Sequence, residues 1–134
     1  MNVAVRYYTR SGNTEKLAKA IAEKVGVTAE TVDKALPEKV DILFLGSSYY
    51  AFDMDPAVKE FLKANKDKIG KIVLVGTSAM MKSMKKPMHK VVDALGIQIA
   101  DEEFHCRGEF GPAHKGRPNA DDLNAAKEFA AKLI

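Results

Sequence analysis

The stretch YYTRSGNT, near the N-terminus, concentrates small hydrogen-bonding groups between an apolar run and a helical pattern. It supplies hydroxyls at Thr9, Ser11 and Thr14, the amide of Asn13 and one glycine, Gly12. The first N–H groups of a helix have no intrahelical partner and carry a partial positive charge, so a helix N-terminus stabilises a phosphate. Glycine can adopt a positive φ, and short side chains let an anion approach closely. The stretch therefore predicts an anion site; the simpler alternative is a polar turn in which Ser11 or Asn13 caps the helix.

Motifs of other phosphate-binding proteins are missing from this stretch. Gly12 stands alone, so neither the dinucleotide fingerprint G-x-G-x-x-G nor the P-loop pattern G-x-x-x-x-G-K-[ST] is present. A phospho-accepting receiver domain would need acidic residues at the end of the first strand and an aspartate at the end of the third. Those ends read Tyr7, Tyr8 and Leu45, Gly46 instead. These observations argue against NAD, nucleoside triphosphates and phosphoryl transfer.

A second stretch, GSSYYAFD, adds aromatic surface at the end of another apolar run. Tyr49, Tyr50 and Phe52 follow closely after the hydroxyls of Ser47 and Ser48. Aromatic rings beside a phosphate site suit a planar heterocycle that carries one phosphate, with stacking worth ~1 kcal/mol beyond the buried area. At least one of the three rings is expected in the core instead.

Apolar patterns alternate between strand and helix along the chain. The predicted strands are residues 3–8, 28–33, 40–46, 71–76 and 97–106. The second of these is short and polar, as at a sheet edge. Four helical patterns accompany them: one that ends at Gly26, one with Asp55 as N-cap, one that starts within 83–87, and one with a capping box of Asn119 and Asp122. The apolar stripe of the second pattern extends to Ile69.

This alternation predicts parallel βαβ units, and hence a three-layer α/β fold with a doubly wound parallel sheet of five strands. In such folds, ligands bind beyond the carboxyl ends of the strands, near the point where the strand order reverses. The loops at those ends are residues 9–14, 47–55, 77–86 and 106–118. Both candidate stretches lie there, so we expect the functional site at this edge of the sheet.

The segment TRSGNT resembles the flavodoxin phosphate loop, T/S-x-T/S-G-x-T, and the GSSYY exit of the third strand is similar to that family as well. The resemblance extends over essentially the whole chain. It implies a single domain over residues 1–134, the strand order 2-1-3-4-5 for which flavodoxin is a standard example, and noncovalently bound FMN. Carried over residue by residue, the phosphate would be bound by Thr9, Arg10, Ser11, Gly12, Asn13 and Thr14. The isoalloxazine would be lined by Ser47, Ser48, Tyr49, Tyr50, Ala51, Phe52, Thr77, Ser78 and Ala79.

The function that the resemblance implies is electron transfer between redox partner proteins through the bound flavin. In a flavodoxin the chemistry belongs to the cofactor, so no residue is assigned as catalytic. Two alternatives stay open: a small FMN-dependent NAD(P)H quinone or nitro reductase, and a flavodoxin-fold domain that has lost flavin binding. Neither His89 nor His114 has a partner at metal-ligand spacing, so no metal site is predicted.

Composition and charge limit the classes of binding partner that we expect. The 134 residues are 46% hydrophobic and 29% charged, which is typical of a soluble globular domain, and we expect a monomer. The net charge of +3, without a block of like charge, gives no reason to expect nucleic acid. No apolar run is long enough to cross a bilayer and no export signal is present, so we expect no membrane association and a cytoplasmic location.

Two smaller features each allow two interpretations. Lys82, Lys85, Lys86 and Lys90 either form a basic face for partners with acidic docking surfaces or are an ordinary solvated helix face. The single cysteine, Cys106, stands between a histidine and an arginine, so nearby positive charge could lower its pKa and make it reactive. A packing role at the end of a strand is the favoured interpretation.

Overall fold

The computed structural model describes residues 1–9, 12–48, 55–78, 83–107 and 115–134. Strands and helices alternate along these ranges. The strands are β1 (Val3–Tyr8), β2 (Ala29–Thr31), β3 (Val40–Ser48), β4 (Ile69–Ser78) and β5 (Gln98–Arg107). The helices are α1 (Asn13–Val25), α2 (Pro56–Asn65), α3 (Lys85–Val92) and α4 (Ala120–Ala131). None of the helices within the described ranges combines the length and the apolar character needed to span a bilayer.

The five strands form one parallel sheet in the order β2-β1-β3-β4-β5. This confirms the predicted fold class and strand order. The chain leaves β1 toward β2 on one side of the sheet and leaves β3 toward β4 on the other, so the strand order reverses between β1 and β3. In doubly wound folds, the carboxyl edge at this point is where ligands bind.

Successive residues of the strands supply two separate cores, one on each face of the sheet. On β1, Val5 and Tyr7 pack on the face covered by α1 and α4. Ala4 lies on the opposite face, where α2 and α3 pack. The central strands contribute fully buried residues to both faces, for example Phe44 to the first and Leu45 to the second. Because both faces are covered, these strands are the continuous apolar runs that the sequence displays.

The bounds of several elements differ from the predicted ones by a few residues. β3 and β4 continue to Ser48 and Ser78, whereas β2 is limited to three residues at the sheet edge. The prediction that Ile69 belongs to the second helical face was wrong, because Ile69 is the first residue of β4. α2 ends at Asn65, whose side-chain amide donates to the Phe61 carbonyl oxygen at 2.9 Å, and one 3₁₀ turn then leads into the strand.

Arg6 of β1 is a buried cation that the sequence analysis did not single out, and it is 4% exposed. Its Nε donates to the carbonyl oxygen of Lys34 at 3.0 Å, and its Nη2 donates to that of Ala35 at 3.2 Å. The carboxylate of Glu30 lies 3.2 Å from the same Nη2. Burial lowers the pKa of the guanidinium and Glu30 opposes that effect. A buried charge must be paired and hydrogen-bonded to be tolerated, and here it fixes the chain that follows β2.

The N-terminus of α4 has the predicted capping box. The Asn119 side chain accepts from the Asp122 N–H at 3.0 Å, and the Asp122 carboxylate accepts from the Asn119 N–H at 2.8 Å. Arg117 adds two further hydrogen bonds to the same carboxylate, at 2.6 and 2.9 Å. These bonds, that of Arg117 first, lower the pKa of Asp122.

Removal of the Asp122 charge should therefore destabilise the protein in a pH-dependent way. We expect Asp122→Asn to lower the free energy of unfolding by ~1 kcal/mol at pH 7, the usual effect of losing a helix cap. A carboxyl group whose native pKa is depressed stabilises the fold above its unfolded pKa of about 3.9 and stops doing so as the pH falls through the native value. Urea unfolding at pH 7 and pH 3 should show the difference between the two proteins shrinking in acid. Asp121→Asn, in the same first turn, is the matched control, and an equal effect of both substitutions would contradict the capping account.

Candidate functional site

The ends of β1, β3 and β4 lie next to one another at the carboxyl edge of the sheet. The register pairs Tyr8 with Ser47 and Ser48 with Thr77. Because the strands are parallel, the segments that follow them leave the sheet at the same edge. The structure thus brings together the three segments that hold the predicted binding residues.

Gly12 begins the first helix from a left-handed backbone conformation. It is the N-cap of α1, with φ of 89°, and its N–H donates to the Thr9 hydroxyl oxygen at 3.1 Å. A glycine N-cap offers no side chain to the first-turn amides, so the simpler alternative of a cap by Asn13 does not apply. Thr9 accepts the Gly12 hydrogen bond, and a hydroxyl that accepts one bond can still donate its own proton to an anion. The described part of this loop fits a phosphate.

A pair of buried hydroxyls links α1 to the end of β4. Thr14 is fully buried and Thr77 is 2% exposed, and their hydroxyl oxygens lie 2.9 Å apart. The fully buried Ser47 belongs to β3, the neighbour of β4 in the sheet. The side chain of Thr14, predicted to reach a phosphate, therefore points into the protein and bonds to another predicted site residue.

Two glycines allow these elements to approach so closely. A Cβ placed on Gly46 would lie 2.9 Å from the Thr14 side chain and 3.2 Å from that of Tyr7. A Cβ on Gly76 would lie 2.5 Å from the Ser47 carbonyl oxygen and would also overlap the end of the Met84 side chain. Both glycines were predicted as the last residues of strands 40–46 and 71–76, without a packing role.

The negative charge of Glu15, which lies close to Gly12 in the first turn of α1, is partly compensated by its neighbours. Glu15, in the first turn of α1, accepts a hydrogen bond from the Tyr7 hydroxyl at 2.9 Å. Its carboxylate also lies 3.6 Å from Lys19 Nζ. Burial, and then the bond to Glu15, raises the pKa of Tyr7, so the phenol keeps its proton and remains a donor at neutral pH. Tyr7 thereby ties the end of β1 to the start of α1.

The segment after β4 is held at its far end by β5. The Glu103 carboxylate accepts hydrogen bonds from the Ser83 hydroxyl and the Met84 N–H, both at 2.7 Å. Lys85 Nζ donates to the carbonyl oxygen of Asp101. A carboxylate at the start of α3 is favourable for the helix as well. Sequence reasoning missed this clamp, because Glu103 is an ordinary polar residue within a strand pattern.

Several predicted residues lie outside the described part of the chain. They are Arg10, Ser11, Tyr49, Tyr50, Ala51, Phe52 and Ala79. The backbone of Ser48 and Ser78 is described as the last residues of β3 and β4. The site residues with described side chains are Thr9, Asn13, Thr14, Ser47 and Thr77, together with the backbone of Gly12. Their roles toward a ligand stay predictions.

Comparisons with known proteins identify the family. A family model described as a flavodoxin domain matches residues 4–108. The chain belongs to the flavodoxin family. An uncharacterized protein of Methanocaldococcus jannaschii is 33% identical over an alignment of 140 positions, which covers 91% of this chain and 90% of that protein. This confirms the family that the TRSGNT segment indicated.

Solved structures agree on the fold of this flavodoxin-family chain. A flavodoxin from the domain Archaea superposes with a TM-score of 0.75 at 16% identity, covering 99% of this chain and 96% of that one. A flavoprotein of Lactobacillus acidophilus, solved in complex with FMN, has a TM-score of 0.59 at 16% identity and covers 79% of this chain and 92% of its own. At these identities the likeness concerns the fold alone.

Cys106 is a packing residue in this flavodoxin-family chain. Its neighbours in sequence, His105 and Arg107, lie on the opposite face of β5, because successive strand residues alternate. Cys106 itself is 8% exposed and packs on the α1 and α4 side. Burial, and then the charge of Asp122, raises the pKa of the thiol to about 11, although Arg117 acts in the other direction. The thiol is therefore protonated at neutral pH, which supports the favoured packing interpretation over that of a reactive thiol.

The bond between Thr14 and Thr77 can be tested by a double-mutant cycle. Valine has the shape of threonine without the hydroxyl, so either Thr14→Val or Thr77→Val leaves the other buried hydroxyl without this partner. Each single change should lower the free energy of unfolding by about 1–3 kcal/mol, and the double change should cost less than the sum. Urea unfolding measures all four proteins, with the exposed Thr28→Val as control. Strictly additive losses would show that the two hydroxyls do not interact.

Proposed function

We propose that this flavodoxin-family protein binds FMN noncovalently at the carboxyl edge of its sheet and carries electrons between redox partner proteins. The observation that carries the proposal is the convergence of the glycine-capped start of α1 with the ends of β3 and β4. This convergence lies where the strand order reverses, which is where doubly wound folds bind their ligands. The family supports a flavin, and the FMN complex of the Lactobacillus acidophilus relative supports FMN in this fold.

The phosphate of FMN would be held by the loop and first turn of α1. The N-terminus of this 13-residue helix favours a negative charge through its backbone N–H groups and its dipole. Gly12 lets the backbone approach the phosphate, and Thr9 can donate a hydroxyl hydrogen bond. Arg10, Ser11 and Asn13 would complete the phosphate site, as the family resemblance implies.

The isoalloxazine would lie toward β3 and β4. The pairing of Ser48 with Thr77 places the ends of both strands side by side, and the two segments of predicted ring-binding residues follow directly on these ends in the sequence. Tyr49, Tyr50 and Phe52 supply the aromatic surface in the first of these segments. Glu103 holds Ser83 and Met84, where the described part of the chain resumes after β4. Bound FMN accepts and releases electrons, and the protein contributes binding, orientation and local charge.

A basic surface favours partners with acidic docking faces. On α3, Lys86 and Lys90 are exposed, while Lys85 bonds to the carbonyl oxygen of Asp101. Lys82 lies outside the described residues. Two exposed cations that follow the loop beside the proposed ring site would steer an acidic partner toward the flavin.

Binding of FMN can be tested by substitution of the two glycines that cap the ends of α1. Gly12 at the N-cap and Gly26 at the C-cap have φ of 89° and 80°, and a Cβ added to either would have no neighbour within 4 Å. Alanine at either site should therefore destabilise the fold by a similar ~1–2 kcal/mol. Only Gly12→Ala should weaken FMN binding, by tenfold or more, because its methyl group enters the phosphate approach. Quenching of FMN fluorescence on titration with apoprotein measures the affinity.

Two outcomes would overturn parts of the proposal. If the wild-type protein does not quench FMN at micromolar concentration, the cofactor assignment fails. If it binds FMN and NADPH alone bleaches the flavin absorbance at catalytic rates, the protein is a reductase. A carrier should be reduced rapidly only when a separate reductase is added.

A further inference from the structure

A cavity of about 1040 Å³ lies beside the phosphate loop, on the side of β2. Residues that line it include Tyr8, Thr9, Gly12, Asp33, Glu60 and Phe61. Among its described lining residues, none belongs to β3, β4 or β5. The cavity lies between the ends of β1 and β2 and the helix α2. Its volume is at the upper end of the usual range for ligand pockets.

The lining of the cavity combines aromatic surface with carboxylates. Tyr8 supplies a ring, whereas Phe61 is only 3% exposed. Glu15, Asp33 and Glu60 supply carboxylates, and the described lining contains no lysine, arginine or histidine. The chain as a whole has a net charge of +3, so this concentration of acids is local. Carboxylates accept hydrogen bonds from hydroxyl and amino groups but repel phosphates. The cavity suits an uncharged group with hydroxyls and a flat ring, whose phosphate stays outside at Gly12.

Asp33 stands where a doubly wound fold can recognise a ribose. In dinucleotide-binding folds, an acidic residue about 20 residues after the glycine loop bonds to a ribose hydroxyl. Asp33 lies 21 positions after Gly12 (33 − 12), just beyond β2, and it is exposed at the cavity. One of its oxygens accepts the Thr31 hydroxyl, which holds the carboxylate in place. A carboxylate has about four acceptor positions, so this bond is compatible with further ones.

We propose that this cavity binds the nucleoside of an adenine ribonucleotide, with Asp33 on the ribose and the phosphate at Gly12. The inference rests on the proposed function, because FAD would place its flavin half toward β3 and β4 and its AMP half in the cavity. Thr9 lines the cavity and bonds to Gly12, so it adjoins both halves. For free ADP the phosphate at Gly12 would be its own, whereas in FAD it would be the phosphate of the FMN half and the adenylyl phosphate would link it to the ribose.

The ribose contact can be measured by calorimetric titration of apoprotein with FMN, FAD, ADP and 2′-deoxy-ADP. We expect FAD to bind within tenfold of FMN, and ADP to bind more tightly than its deoxy analogue. Asp33→Asn should weaken FAD and ADP by about tenfold, change FMN less than twofold and abolish the preference for ADP. Asp67→Asn, an exposed aspartate in the turn after α2, is the matched control for loss of charge. Circular dichroism confirms that both variants fold.

The results separate this inference from the proposed function. If FMN binds but FAD and ADP do not, or if Asp33→Asn leaves their affinities unchanged, the nucleoside site is refuted and the FMN proposal stands. If ADP binds through Asp33 while neither flavin binds, the nucleoside site is supported for a free nucleotide and the flavin function fails. Binding of FAD that depends on Asp33 supports both.

Discussion

The first turn of α1 packs directly on Gly46 of β3, and the geometry of the candidate site depends on this contact. Any side chain at Gly46 would meet Thr14 at 2.9 Å, so the helix could not sit so low over the strand. At that depth the Thr14 hydroxyl reaches Thr77 of β4. The start of the helix and the ends of two strands are thereby held together, so the N-terminus of α1 lies beside the ends of β3 and β4.

The reversal of strand order determines what surrounds this contact. Because β1 leads to β2 on one side and β3 leads to β4 on the other, the strand ends on the two sides of this contact differ in chemistry. The β3 and β4 side carries hydroxyls and is followed by the basic helix α3, whereas the β2 side carries acids and aromatic rings. Arg6 fixes the chain that follows β2, because its guanidinium donates hydrogen bonds to the carbonyl oxygens of Lys34 and Ala35. The start of α1 thus lies near two chemically different parts of the carboxyl edge.

The sequence predicted those features of the fold and of the candidate site that depend on residues close together in the chain. The apolar periods identified the strands and helices, and short-range caps such as Asn119 with Asp122 were confirmed because both partners lie within one turn. The family followed from a short motif. The bonds that shape the site could not be predicted, because Thr14 and Thr77 are 63 residues apart and Arg6 and Lys34 are 28 apart. Nothing in a strand pattern distinguishes a glycine that ends a strand from one that makes room for a helix.

The account depends on the phosphate being bound at the start of α1, and comparison of FMN with riboflavin tests this most directly. The two molecules differ only in the phosphate, and hydrogen bonds to a charged group contribute about 1.5–3 kcal/mol each. Fluorescence titration of the apoprotein should therefore give FMN an affinity at least tenfold higher than that of riboflavin, with the difference reduced in high salt. Equal affinities for the two flavins would contradict the account, because the loop around Gly12 would then contribute nothing to binding.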